Sequence, residues 1–246
     1  MKREPLTVSF SGIDGAGKST QIESLCRRLT GQGLRVRVIS FWDEIARLTR
    51  VRESAGHALF KGDRGVGSPS KPIERRDKNV RSWPMSVVRP LLYFVDAISA
   101  RTVLKRALNS EVDVVILDRW TYDELANLNL RKSANRVYAR FLSKIVPQPQ
   151  YAFVLDANPT EARARKPEYP LEFLIANRSS YLCLSNLVKG ITVIPPMDVR
   201  GVETFIFDRV FQSPPLDGGQ GVGGEADPFG AKSFTLRQPY VASKHS

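Results

Sequence analysis

The stretch Gly12-Ile13-Asp14-Gly15-Ala16-Gly17-Lys18-Ser19 matches G-x-x-x-x-G-K-[ST], the pattern of glycine-rich loops that bind phosphate. A β-rich run precedes it at residues 6–11, and apolar residues at helical spacing follow over residues 18–29. In this order, backbone N–H groups can surround a phosphate at the positive end of a helix dipole. A chance glycine-rich turn is the alternative, and the flanking strand and helix argue against it. The stretch therefore predicts a site for nucleotide phosphates.

Individual roles follow from the chemistry of the loop. Lys18 can reach the β- and γ-phosphates, and the hydroxyl of Ser19 can bind Mg²⁺. We therefore expect a nucleoside triphosphate and Mg²⁺ as cofactors. The residues predicted to bind them are Gly12, Ile13, Asp14, Gly15, Ala16, Gly17, Lys18, Ser19 and Thr20.

Composition indicates a globular protein. Of its 246 residues, 42% are hydrophobic and 25% are charged, which suits one α/β domain. No apolar run reaches the roughly 18 residues of a membrane span, so no membrane partner is expected. The first strand begins too early to leave room for a signal peptide. Cys26 and Cys183 lie in apolar helical patterns and are expected to be buried thiols, which favours a cytoplasmic location.

The net charge of +12 is unevenly distributed. Residues 47–89 alone contain eleven basic and four acidic side chains. Such an excess suits either nucleic acid or an enzyme with two phosphorylated substrates. We favour nucleotide substrates, because no nucleic-acid-binding module is recognisable.

Strands and helices alternate along residues 1–212. This order predicts a three-layer α/β/α P-loop NTPase fold with a parallel sheet of about five strands. The predicted strands are 6–11, 34–41, 112–117, 150–155 and 190–195, and the predicted helices are 18–29, 42–52, 85–108, 122–146, 171–188 and 199–211.

Three segments interrupt this alternation. Residues 56–84 form an irregular basic insertion, either a substrate lid or a solvated loop. Residues 158–170 form a basic connection that is predicted to be a lid. Residues 213–246 are rich in glycine and proline and are predicted to be a disordered tail.

Ligands of parallel α/β folds bind at the carboxyl ends of strands, where further candidate residues lie. Asp118 follows an apolar strand, as a Walker-B carboxylate that organises Mg²⁺ does. The neighbouring Arg119 can hold phosphate oxygens with two hydrogen bonds. Arg163 and Arg165 can offset charge in the transition state as a lid closes. The alternatives are a surface turn at Asp118-Arg119 and a solvated basic turn at the two later arginines.

Four segments resemble the thymidylate kinase family. They are the loop at residues 10–21, Asp118-Arg119-Trp120, the helical segment Leu91-Leu92-Tyr93-Phe94-Val95-Asp96 and the turn at residues 155–162. They come in the family's order, and the resemblance spans roughly residues 6–211. The resemblance implies a nucleoside monophosphate kinase. Because Gly15 follows Asp14 in the loop, it implies the subclass whose catalytic arginine comes from the lid.

The resemblance also implies the acceptor site. Asp14 would meet the sugar hydroxyl of the acceptor and Arg119 its phosphate. Tyr93 would stack near the base, and Tyr169 would line the same pocket. It further implies a homodimer formed through a helix face.

Three features depart from the family on the acceptor side. The segment after the second strand contains Asp43-Glu44 where the family has an arginine. Ala97 stands at another arginine position, and Arg101, one turn later, becomes the candidate for contact with the acceptor. The insertion at residues 56–84 is also longer. The leading hypothesis is ATP-dependent phosphorylation of a nucleoside monophosphate, dTMP first. The alternatives are a kinase for another small molecule and a nucleotide-binding regulator with little turnover.

Overall fold

Strand β1 lies at the centre of a five-stranded sheet with the order β2-β3-β1-β4-β5. The structure, a computed structural model, describes residues 4–46 and 83–211. All strand pairs in these ranges are parallel. The strands are β1 (Leu6–Ser11), β2 (Val36–Ser40), β3 (Val114–Asp118), β4 (Tyr151–Leu155) and β5 (Ile191–Ile194).

Helices cover both faces of the sheet. The described helices are α1 (Lys18–Gly31), α2 (Trp83–Leu108), α3 (Thr121–Leu125), α4 (Ser133–Ile145), α5 (Pro159–Arg165), α6 (Leu171–Leu187) and α7 (Val199–Phe211), with a π-helical turn at Phe41–Ile45. Apolar side chains of α1 and α7 form one core with alternate residues of the strands. Those of α2, α3, α4 and α6 form a second core on the other face. The predicted three-layer fold is therefore confirmed.

Strand register places the functional turns next to one another. All six residues of β1 are buried, as expected for a central parallel strand covered on both faces. Phe10 is paired with Asp118 on one side and with Phe153 on the other. The ends of β1, β3 and β4 therefore meet at one edge of the sheet, where the phosphate loop begins.

Several predicted elements differ in detail. The helix predicted at residues 122–146 is divided into α3 and α4, because Asn127 and Asn129 favour a turn between them. The Asn129 Oδ1 accepts a hydrogen bond from the backbone N–H of Arg131 at 3.2 Å. Pro90 lies inside α2. Cys26 and Cys183 are free thiols, but the prediction that both are buried is wrong: Cys183 is exposed on the solvent side of α6.

Part of the predicted organisation lies outside the described residues. This applies to most of the insertion at residues 56–84, to the end of the helix predicted at 42–52 and to the tail at 213–246. The domain boundaries stay predictions. Within the two described ranges, no helix is both long enough and apolar enough to cross a membrane.

Candidate active site

The phosphate loop connects β1 to α1 by a backbone that only glycine adopts easily. Gly15 has a φ of 83°, and a Cβ added there would lie 2.2 Å from the backbone oxygen of Ala162. Gly12 has a φ of 140°, and its Cβ would lie 2.5 Å from the backbone oxygen of Leu155. The loop is thus packed against the end of β4 and against α5, which belongs to the predicted lid. Any side chain at position 15 would collide with that helix.

Lys18 is folded back over the loop. Its Nζ donates hydrogen bonds to the carbonyl oxygens of Gly12, at 2.9 Å, and Ile13, at 2.8 Å. Burial lowers the pKa of Lys18 to about 8, and the positive charge of Arg119 acts in the same direction. The carboxylates of Asp14, Asp123 and Asp118 oppose this shift. A bound phosphate would place negative charge beside the buried ammonium and so favour its charged form.

Asp118 ends β3 beside the loop. Burial raises the pKa of its carboxyl group, while Arg119 and Lys18 act to lower it. Ser19 is exposed in the first turn of α1, and the N-cap residue of this helix, Gly17, makes no side-chain cap. A hydroxyl and a carboxylate are the hard oxygen ligands that Mg²⁺ prefers, with phosphate and water completing its shell. The donor chemistry therefore fits the predicted metal. No group of three or more His, Cys, Asp or Glu side chains capable of holding a metal occurs among the described residues.

Arg119 bridges two carboxylates. Its Nη1 donates a hydrogen bond to Asp123 Oδ1 at 2.9 Å, and its Nη2 donates one to Asp14 Oδ1. Burial alone would lower the pKa of Arg119, but Asp123 and Asp14 raise it on balance. The arginine is therefore a permanent cation beside the phosphate loop. Its φ of 66° makes it the single non-glycine residue with a positive φ among the described residues.

Asp123 is a member of this cluster that sequence reasoning missed. Its side chain accepts hydrogen bonds from Ser11 Oγ at 2.6 Å and from the hydroxyl of Tyr181 at 2.7 Å, besides the bond from Arg119. Arg119 precedes both the predicted helix at residues 122–146 and α3, so helical spacing offered no signal for this pair. Tyr181 offered no local signal, because it comes from a distant helix.

The two predicted lid arginines are both exposed on α5. Arg165 lines an open cleft next to the phosphate loop, whereas Arg163 does not line it. The helix is capped by Asn158, whose Oδ1 accepts a hydrogen bond from the N–H of Thr160 at 2.9 Å. The cleft is lined by Ala16, Leu155, Asp156, Ala157, Asn158, Glu161, Arg165, Ile194, Pro195, Pro196, Met197 and Val202.

A second ion pair fixes the end of β4 to α6. Arg178 donates to both carboxylate oxygens of Asp156, at 2.6 and 2.7 Å. The backbone N–H of Asp156 also donates to the carbonyl of Ile194 on β5 at 2.9 Å. Sequence reasoning noted Asp156 in its turn but not Arg178, which lies a further twenty-two residues along the chain.

The predicted acceptor residues are only partly brought together. Tyr93 is buried on α2, and Tyr169 is buried against Phe173, with 5.1 Å between ring centroids. Arg101 is exposed, and its Nη1 donates to the carbonyl of Ile145 at the end of α4, so it does not join the cluster around the phosphate loop. Asp43 is near enough to Asp118 to act to raise the pKa of that carboxyl group.

The chain is similar to curated proteins that are named thymidylate kinase. No protein-family model matches the chain. The chain is 32% identical over 163 residues to a thymidylate kinase of Prochlorococcus marinus strain AS9601, covering 65% of this chain and 69% of that protein. It is 32% identical over 168 residues to the enzyme of strain MIT 9312, covering 66% and 72%.

More distant similarity covers more of the chain. A probable thymidylate kinase of Methanosphaera stadtmanae is 24% identical over 209 residues, covering 82% of this chain and 94% of that protein. A solved structure of thymidylate kinase from Candida albicans matches with a TM-score of 0.56 at 16% identity, covering 85% of this chain and 92% of the other. At that identity the structural likeness concerns the fold alone.

Proposed function

Because the chain belongs to the thymidylate kinase family, we propose that it transfers the γ-phosphate of ATP to dTMP, producing ADP and dTDP. The observation that carries the proposal is the geometry around Arg119. A permanently charged guanidinium is held beside the phosphate loop, at the edge where three strands end. Phosphoryl transfer needs mainly such positioning and charge stabilisation.

The donor side uses the loop at residues 12–20. Its backbone N–H groups and Lys18 bind the phosphates of ATP. Ser19 and Asp118 would hold Mg²⁺, which supplies charge neutralisation on the phosphate oxygens. The open cleft lined by Arg165 is the place we assign to the nucleoside of ATP, since it adjoins both the loop and α5.

The lid arginines supply the charge that the loop does not carry. With the backbone oxygen of Ala162 lying against Gly15, the loop has no room for an arginine at that position. Arg163 and Arg165 are exposed on that same helix and can turn towards the transferred phosphate. We therefore assign the chain to the subclass with its catalytic arginine in the lid.

On the acceptor side, Arg119 binds the phosphate of dTMP and Asp14 its sugar hydroxyl. Tyr93 and Tyr169 line the base pocket from α2 and the turn before α6. Arg101 could contact the acceptor only after its hydrogen bond to the carbonyl of Ile145 breaks.

An ADP-release assay with a panel of nucleoside monophosphates tests the proposal. We expect turnover that depends on dTMP and that is lost in Lys18→Met. Lys189→Met, which changes an exposed lysine before β5, is the matched control and should retain turnover. If no monophosphate stimulated ADP release, the proposed function would be wrong.

A second acceptor class is favoured by one observation. Asp43 carries negative charge near Asp118, at the edge that would receive the acceptor phosphate. An acceptor with less negative charge than a dianionic monophosphate would fit better beside Asp43. This favours a kinase for a different small molecule. Turnover of dTMP at ordinary kinase rates would remove this alternative. The regulator hypothesis rests on the basic segment 47–89, most of which lies outside the described residues.

A homodimer is proposed from an exposed apolar surface. Leu91 and Ile98 on α2 are 64% and 49% exposed, and Val137 and Phe141 on α4 are 63% and 51% exposed. Their spacings of seven and four residues align each pair on one helix face. Phe141→Lys should convert a dimer into a monomer in analytical ultracentrifugation, whereas Ile175→Lys on α6 should not. As a nucleotide kinase, the protein is assigned to the cytoplasm.

A further inference from the structure

The carboxylate of Asp123 is buried at the centre of the ionic cluster. The residue is 3% exposed and lies at the third position of α3. Its oxygens accept hydrogen bonds from Ser11 Oγ, the Tyr181 hydroxyl and the Trp120 N–H, as well as from Arg119. Burial and the charge of Asp123 raise the pKa of Tyr181 well above its ordinary value, so that its hydroxyl remains a donor. The position of this carboxylate is therefore fixed from three elements.

The two carboxylates on Arg119 differ in their surroundings. The side chain of Asp123 is 2% exposed, whereas those of Asp14 and Arg119 are 13% and 21% exposed. A ligand arriving from solvent therefore meets the contact between Arg119 and Asp14 first. The contact with Asp123 lies behind it, on the side of the core.

The backbone of Arg119 requires such support. A left-handed conformation is sterically unfavourable for a non-glycine residue. Residue 119 is held there by the hydrogen bond from its N–H to the carbonyl of Phe10 at 3.0 Å and by the two carboxylates. If the phosphate displaced both carboxylates, the side chain would lose its anchor.

We propose that Asp123 is a positioning residue for the acceptor: it holds Nη1 of Arg119 while the acceptor phosphate exchanges with Asp14 at Nη2. This inference rests on the proposed role of Arg119 in binding that phosphate. The Asp14 carboxylate, released from the guanidinium, becomes an acceptor for the sugar hydroxyl. Binding of the phosphate and of the sugar is thereby linked through one arginine.

The central test compares two Michaelis constants in Asp123→Asn. With the anchor charge removed, we expect the KM for dTMP to rise about tenfold or more, the equivalent of one charge-assisted hydrogen bond. The KM for ATP should change less than about twofold. Asp113→Asn is the matched control, because it removes another carboxylate paired with an arginine, at the opposite edge of the sheet. It should leave both constants unchanged.

Inorganic phosphate provides a readout that a merely structural role would not move. Its competitive inhibition constant against dTMP should rise in Asp123→Asn, because Arg119 is no longer oriented. The same constant should fall in Asp14→Asn, because the competitor for Nη2 is weakened. Opposite signs for two neighbouring carboxylates are expected only from an exchange at one end of the guanidinium.

Tyr181→Phe keeps the test open if Asp123→Asn does not fold. It retains the ring in the core and removes one donor to Asp123, so the KM for dTMP should rise about threefold with the KM for ATP unchanged. Equal changes in both constants, or tighter phosphate inhibition in Asp123→Asn, would overturn the proposal. If the wild type turned over no acceptor, the proposed function would fail instead. Calorimetric titration with inorganic phosphate would then still decide whether the two variants shift its binding in opposite directions.

Discussion

Replacing Lys18 by methionine should change how the stability of the protein depends on pH. The pKa of Lys18 is lowered from its ordinary value of 10.5 to about 8, chiefly by burial. This difference in pKa corresponds to about 3 kcal/mol of unfavourable free energy in the folded protein while the ammonium is charged. Above pH 8 the folded state releases this proton, whereas the unfolded chain retains it until about pH 10.5. Since the unfolded state then binds more protons, stability rises with pH in this window.

The assay is equilibrium unfolding in urea for wild type and Lys18→Met, each from about pH 7.5 to about pH 9.5. Other titrating groups are common to both proteins and cancel in the difference of their free energies of unfolding. That difference should move by about 2 kcal/mol in favour of the wild type across the range. The lost hydrogen bonds to the carbonyls of Gly12 and Ile13 add an offset that does not depend on pH.

A difference that stays constant over this range would refute the reasoning. It would mean that the ammonium is solvated in the absence of nucleotide and that the loop is not closed around it. Lys189→Met is the control, because its side chain is exposed and its substitution should add no pH dependence.

Three further predictions concern the same edge of the sheet. Gly15→Ala should destabilise the protein by several kcal/mol more than Gly17→Ala, because both have a positive φ but only Gly15 would bring a Cβ against Ala162; thermal unfolding measures this, and equal losses would contradict it. Arg119→Lys should raise the KM for dTMP about tenfold and leave that for ATP within about twofold, since the two-pronged geometry is lost; an unchanged KM for dTMP would show that Arg119 does not bind the acceptor. Arg165→Ala should lower kcat about a hundredfold with little change in fold, as steady-state kinetics and circular dichroism would report; retained kcat would exclude it from transition-state stabilisation.

The fold was predictable because its signals are local. The strands are short segments rich in apolar residues, and the loop at residues 12–19 fixes the order of strand, turn and helix. A parallel sheet then requires helices on both faces. The break between α3 and α4 was missed because Asn127 and Asn129 interrupt an apolar pattern that by itself continues.

The site was predictable only where its residues lie in motifs. The motifs contain Lys18, Asp118 and Arg119. These residues lie at or just after the ends of strands, where phosphate-binding and metal-binding side chains are expected. Asp123 and Tyr181 are joined by a hydrogen bond that spans two helices, and nothing near either residue in the sequence announces it. The position of Arg101 could not be predicted either, because its contact with the end of α4 depends on how two helices pack.

The place of β1 in the sheet has a consequence for synthesis of the chain. Its two neighbours are made much later: Leu6 is paired with Val114, and Val8 with Tyr151. Closing such long loops comes late in folding. On the ribosome, a chain that already carries the whole phosphate loop therefore has no neighbour for β1 until β3 has emerged, and β1 is paired on both sides only after β4 has emerged. Premature termination before Leu155 should thus yield a fragment with an intact nucleotide motif and no nucleotide affinity, and ATP can assist folding only in its last stage.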